Sequence, residues 1–224
     1  MNRRVRTKTK SRLIAAASDL FAERGFHGTT ARDIAARAAV NLAAGNYHYG
    51  SKKALYLEVL RAQFAETRAL LARRGATKPA TALDRLSRAK LEALLQARAQ
   101  AMLDLLIGPP PGLHGTLMQR EMTDPSEALP VIVDEFIRPM LGEMAEIVAR
   151  LAPRLAREDV RRCIFSIMGQ VAFYRFARPA MLQILGRREY PRRFARQLAR
   201  HITEFSLGGL QQVAARHQRS RHGR

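Results

Sequence analysis

The chain has 224 residues, 47% of them hydrophobic, enough to bury a core of its own. Its single cysteine, Cys163, excludes an internal disulfide and any cysteine-based zinc cage, and points to the reducing cytosol. Formal net charge is +20, from 39 basic and 19 acidic residues, which directs attention to polyanionic partners.

The opening MNRRVRTKTKSR is basic but leads straight into the amphipathic LIAAASDLFAERG, without the uniform apolar stretch of a signal peptide. No apolar run reaches about 18 residues, so no membrane span is expected and a cytoplasmic location is. Charge gathers at the two ends. Residues 1–60 carry 11 basic against 4 acidic residues and residues 186–224 carry 10 against 2, while the middle is nearly balanced.

Apolar residues recur at helical spacing almost throughout, and no run alternates with period two for long, so the fold class expected is all-α. Leu13, Ala17, Leu20 and Phe21 mark one face of a first helix that Gly25 stops. Thr30 with Asp33 has the form of a capping box opening a second helix, which carries Ile34, Ala35 and Ala38 inward. Asn41 is placed to cap a third helix of about two turns. After Gly50, Ser51 is placed to cap a fourth, with Leu57, Leu60 and Phe64 on one face.

The GATKP segment ending at Pro79 breaks the composition and suggests two domains, residues 1–75 and 76–224. A long helix from Leu83 to Leu106 follows, broken by GPPPG, and then a short helix around Leu117 to Met122. TDPSEALP carries start signals for a helix to about Leu151, with a restart or kink expected at Pro130 and Pro139. The stretch from Cys163 to Ala177 is apolar nearly all round and must be covered on every side. In the last helix Phe194, Leu198, Ile202 and Phe205 form a stripe opposite Arg192, Arg193, Arg196 and Arg200. Two such helices per chain, doubled by symmetry, predict a four-helix interface in a homodimer.

The second and third helices, joined through Ala39, Val40 and Asn41, have the spacing of a helix-turn-helix, whose second helix enters the major groove of DNA. Small Ala43 and Ala44 near its start would let the backbone approach base edges. Tyr47 and His48 can donate hydrogen bonds to phosphate, and Lys52 lies in the first turn of the next helix, where an anion would be favoured. Asn46 and Arg32 have the chemistry to read bases, and the RRVRTKTK arm can add salt-sensitive phosphate contacts.

The residues Gly25 to Val40 (GFHGTTARDIAARAAV) and Asn46 to Leu60 (NYHYGSKKALYLEVL) resemble the TetR family of bacterial transcription regulators. LMQREMTDPS (Leu117 to Ser126) and SIMGQVAFYRFARP (Ser166 to Pro179) resemble its CecR-type subgroup. The resemblance implies an N-terminal helix-turn-helix domain for operator DNA and a larger helical ligand-binding and dimerisation domain. It also implies a DNA interface at the positions of Arg32, Ala43, Ala44, Asn46, Tyr47, His48 and Lys52. Two residues depart from the family pattern: Gly45 stands where an aliphatic residue is usual, and Tyr49 replaces a Phe.

Met118, Met122, Phe136, Met140, Met168 and Phe173 read most simply as core, but together such side chains suit a surface that repacks around apolar small-molecule effectors. His114, Arg120, Glu121, Gln170 and Tyr174 would orient such a ligand, with a structural ion pair or helix-end contacts as the alternative for Arg120 and Glu121. The six histidines lack metal-site spacing, and no nucleophile elbow, phosphate loop or dinucleotide fingerprint is present. Neither a metal, a cofactor nor catalysis is expected. The function expected is a ligand-responsive repressor of transcription; the alternative is an effector-independent, non-specific nucleic-acid-binding protein.

Overall fold

The computed structural model describes residues 3–41, 49–108 and 113–222, and side-chain surroundings over residues 7–41, 49–108 and 116–216. The described residues are helical and loop only, with no strand. Helices α1 (Arg3–Arg24) and α2 (Ala31–Arg37) are followed by α3 (Lys52–Arg73), α4 (Ala80–Leu83) and α5 (Arg88–Ile107). Then come α6 (Leu113–Thr123), α7 (Leu129–Ile132), a π-helical turn at Val133–Ile137 and α8 (Arg138–Leu151). Helices α9 (Arg157–Phe176), α10 (Arg178–Ile184) and α11 (Phe194–His222) complete the order. The helix expected after Asn41 falls on residues 42–48, outside the described residues.

Contacts divide the chain into two compact units, residues 1–67 with 112–136, and residues 68–111 with 137–224. In the first unit Leu13, Ala17, Leu20 and Phe21 of α1 are buried with Ile34 and Ala35 of α2 and Leu55, Tyr56 and Leu60 of α3. Phe21, Phe26 and Tyr56 form its aromatic centre, with ring centroids 4.8 Å apart for Phe21–Tyr56 and 5.1 Å for Phe26–Tyr56. Near-perpendicular and tilted rings at these distances are favourable arrangements of aromatic quadrupoles. Phe64 stacks on Phe136 at 4.0 Å.

The second unit is built on α5, which shares one apolar cluster with α8 and α9 and another with α9 and α11. Leu91, Leu94 and Leu95 meet Met144, Ile147, Val148, Ile164 and Ile167 in the first cluster. Ala99, Leu103 and Ile107 meet Val171, Leu198, Ala199 and Ile202 in the second. The buried Arg98 of α5 pairs with Glu143 of α8.

Local signals decide where helices begin and end. The capping box is present: the Asp33 N–H donates to the Thr30 hydroxyl at 3.1 Å, and the Thr30 N–H donates to the Asp33 carboxylate at 3.0 Å. The Ala54 N–H donates to Ser51 Oγ at 3.0 Å, closing the first turn of α3. Two expectations need correction. The stretch from Leu83 to Leu106 is not one helix: α4 ends at Leu83, and Ser87, extended at φ −64° and ψ 159°, accepts from the Lys90 N–H to start α5 anew. A cap of this kind satisfies an orphan donor, which apolar periodicity does not register. The helix around Leu117 to Met122 also starts earlier, at Leu113.

The restart or kink expected at Pro130 and Pro139 takes a definite form. Pro139 has no N–H, and its ring crowds the carbonyl four residues back, so the chain widens into the π turn at Val133–Ile137 before α8 resumes. Helix α9 buries Val160, Ile164, Ile167 and Val171 on one side. Its other side is bare in the single chain, with Phe165 54% and Phe173 52% exposed.

Candidate nucleic-acid interface and the residues that brace it

The turn after α2 is tightly specified. Ala39 is at φ 49°, the left-handed region that costs a residue with a Cβ, and the Val40 N–H donates to Ala35 O at 3.0 Å, wrapping the helix end. Arg12 Nη2 of α1 donates to Ala39 O at 2.9 Å. Arg37 pairs with Glu23 at 3.3 Å on an exposed face, and Arg32 is exposed. A short helix with an exposed guanidinium, held at both ends, can present that group to a polyanion.

The loop between α1 and α2 is braced from three directions. Gly25, at φ 74°, ends α1, and a Cβ on Gly28 would stand 2.4 Å from Arg24 O, so the loop requires glycine there. The buried Thr29 hydroxyl donates to Gly25 O at 2.8 Å. The Lys52 ammonium donates to Phe26 O at 2.9 Å and Thr29 O at 3.0 Å, and lies 4.1 Å from the Phe26 ring centroid. Sequence reading places Lys52 facing an anion; in the structure its charge is engaged by the protein's own carbonyls.

Arg120 and Glu121 of α6 complete the brace. Arg120 Nε donates to Ala22 O at 2.9 Å and Nη2 to Glu23 O at 2.7 Å, so a cation sits on the carbonyl end of α1, where the helix dipole favours it. Glu121, only 1% exposed, accepts from the Tyr56 hydroxyl at 2.9 Å and from the Ser126 N–H and hydroxyl at 2.9 and 3.0 Å. Burial, and then the Glu121 charge, push the Tyr56 pKa well above its ordinary value. Arg61 of α3 grips Glu135 at 2.9 and 2.6 Å, and that hydrogen-bonded guanidinium holds the Glu135 carboxyl below the usual carboxylate range. Segment 112–136 is thus tied to α1 through Arg120 and to α3 through Glu121 and Glu135.

Tyr49 donates to Lys10 O at 3.4 Å, and burial, followed by Glu58, pushes its pKa up to about 12. The residues Ala43, Ala44, Asn46, Tyr47 and His48 lie outside the described residues, as does the side chain of His114. Of the remaining residues expected around a ligand, Met118, Met122 and Phe136 belong to the first unit with Arg120 and Glu121. Phe136 is buried against Phe64, while Met122 is exposed.

Met140, Met168, Gln170, Phe173 and Tyr174 belong to the second unit. Met168 packs on the first of its clusters and Tyr174 on the second. Gln170 donates to Ser206 Oγ at 3.4 Å, and Tyr174 O accepts from the Tyr190 hydroxyl at 2.9 Å. Burial raises the Cys163 pKa, which keeps the thiol in its unreactive form. Sequence reading missed Tyr56, Arg12 and Arg98. Tyr56 has the apolar periodicity of core, and nothing in the spacing announces a carboxylate 65 residues away as its partner.

Residues 13–59 match the bacterial regulatory proteins of the tetR family, and residues 87–210 match the C-terminal domain of the HTH-type transcriptional dual regulator CecR. The chain belongs to the TetR family of transcriptional regulators. Among curated relatives, the HTH-type transcriptional regulator RutR of Escherichia coli K12 is 29% identical over 213 residues, covering 93% of each chain. The dual regulator CecR of Shigella flexneri is 27% identical over 188 residues, 78% of this chain and 79% of the relative. The crystal structure of the transcriptional regulator FadR from Bacillus subtilis, in complex with stearoyl-CoA, superposes with a TM-score of 0.62. It is 15% identical and covers 89% of this chain and 98% of that one, a likeness of fold. For this TetR-family chain, then, the α1–α2–α3 unit is a DNA-binding unit, and the family to which it belongs regulates transcription. No helix among the described residues is long and apolar enough to cross a membrane.

Proposed function

We propose that this protein is a dimeric repressor that binds a near-palindromic operator and is released by a small-molecule effector. The observation that carries the reading is the bracing of segment 112–136 onto α1 and α3 by Arg120, Glu121 and Glu135. The chain enters and leaves that segment from residues 68–111 and 137–224, so a ligand that reorders the second unit acts on the DNA-binding unit through covalent connections. An effector lowers DNA affinity by its differential affinity for the two arrangements, and DNA weakens effector binding by the same factor.

Arg32, Asn46, Ala43 and Ala44 are the proposed base-reading or close-approach positions, with Tyr47 and His48 on phosphate and Lys52 holding the loop that positions them. In the second unit Met140, Met168 and Phe173, with Gln170 and Tyr174 as polar groups, are the proposed effector positions; in the first unit they are Met118, Met122, Phe136 and His114. Arg120 and Glu121 are positioning residues. The division of labour runs between residues 1–75 for DNA and 76–224 for ligand and dimer contacts.

The dimer reading rests on surface chemistry. Phe165, Phe173 and Phe176 of α9 and Phe205 of α11 are exposed. A Cβ added to Gly169, Gly208 or Gly209 would meet nothing within 4 Å. Glycine inside a helix costs roughly 1 kcal/mol relative to alanine, so three of them on open helix faces beside bare phenylalanines fit a surface built for close approach of a second copy.

Binding to DNA from upstream of the protein's own gene and to random DNA of equal length, across a salt series, tests the function. Selective binding that survives about 0.15 M salt is expected. Equal, weak and salt-abolished binding to both would instead assign a non-specific nucleic-acid binder.

A further inference from the structure

The second unit carries a groove of about 410 Å³ lined by Gln96 of α5, by Arg193 just before α11, and by Arg196, Gln197 and Arg200 of α11. Arg193, in the turn that opens α11, is followed by Arg196 and Arg200 on the helix itself, and all three line the groove. Among the described residues no carboxylate lines the groove. Glu204 approaches Arg200 only at 3.8 Å, with both side chains more than two-thirds exposed, and Glu92, one turn before Gln96, is paired with Arg88 at 2.9 Å.

This placement runs against helix electrostatics. The first turn of α11 contains no acidic residue and does contain Arg196, at the end where the helix dipole disfavours cations. Arg193 and Arg196 stand at the unfavourable end of that dipole, and an anion held between them and Arg200 relieves the like-charge repulsion around the groove. Below them the helix is anchored, since Ala195, Leu198, Ala199 and Ile202 are buried against Ala99 and Leu103 of α5, so the arginines project from a rigid base.

We propose that this groove binds a small molecule of the nucleoside diphosphate class. The three arginines span about 10 Å of helix axis, more than one phosphate covers, and a di- or triphosphate matches that spread. Gln96 and Gln197 each offer a carboxamide donor and acceptor for the edge of a base or the hydroxyls of a sugar. None of the residues lining the groove is among those assigned above to DNA or effector, so variants in it are read without altering either set.

Calorimetric titration of the full-length protein at about 0.15 M salt, where bare surface charge is largely screened, tests the site. ADP is expected to saturate at one molecule per chain, with AMP about tenfold weaker. Arg196→Gln combined with Arg200→Gln should weaken ADP at least about tenfold, and Gln96→Glu, which adds a carboxylate to the groove from the other helix, should do so without touching α11. Arg154→Gln, a charge removal on an exposed loop, should leave ADP binding unchanged. Failure of ADP to saturate, equal weakening by Arg154→Gln, or wild-type affinity in a folded groove variant would each overturn the proposal. A phosphodiester trinucleotide that binds as tightly as ADP would assign the groove to a nucleic-acid backbone and overturn it as well.

Discussion

Four side chains decide how the DNA-binding unit is held: Lys52, Tyr56, Arg120 and Glu121. Each is polar, each is bonded to a group distant in sequence, and each loss leaves a partner stranded. Tyr56→Phe removes one hydroxyl donor from a buried carboxylate, and its cost is expected at about 1–3 kcal/mol in denaturant unfolding. The same hydroxyl gives an alkaline signature. Tyr56 and Tyr49 both have raised pKa values, so the folded state keeps protons that the unfolded chain releases near its ordinary value of 10.0. Their contribution is complete below pH 10 and is lost as pH rises toward about 12, a fall that Tyr56→Phe should blunt in a pH series of unfolding midpoints. Lys52→Ala releases the loop that Phe26 O and Thr29 O close, and is expected to weaken specific and random DNA alike. Arg32→Ala should instead change the ratio between them, and equal effects on that ratio in binding assays would contradict this division of roles.

At the level of elements, caps and prolines outrank periodicity. Helix α2 has only seven residues and owes its boundary to the Thr30–Asp33 box. Thr30→Ala should cost about 1 kcal/mol, read as a lower thermal midpoint. The Thr30 hydroxyl, and then its N–H, hold the Asp33 carboxyl below its ordinary value of 3.8. That contribution is present above the ordinary value and is lost as pH falls through the lowered one. Thr30→Ala should therefore flatten the acid limb of the stability profile below about pH 4, and an unchanged limb would show that the box does not hold the carboxylate. Pro139 acts in the same local way: the missing N–H shifts strain into one π turn and leaves the flanking helices regular.

For the molecule as a whole, the unpaired surface matters more than the core. Helices α9 and α11 satisfy the second unit with one face each and leave phenylalanines and glycines on the other. If a second copy covers that face, Phe205→Asp should convert the protein to a monomer in sedimentation, and operator affinity should fall with it, because two half-sites about 34 to 36 Å apart need two recognition helices. Gly209→Leu separates the alternatives. A leucine raises helix propensity and would stabilise an isolated chain, but it blocks close approach and should weaken a dimer.

The sequence by itself determined the all-helical class, the helix-turn-helix spacing, the capping box, the Ser51 cap and the apolar character of α9, because each rests on interactions within a few residues. It was also sufficient to single out Arg120 and Glu121. Only the tertiary structure decided what those residues touch. The α1 carbonyls and the Tyr56 hydroxyl that they meet lie about a hundred and 65 residues away, and no local pattern encodes a partner at that separation. The same holds for the groove: the arginine face of α11 is legible as a stripe, but the α5 glutamine that makes it a site is supplied by packing.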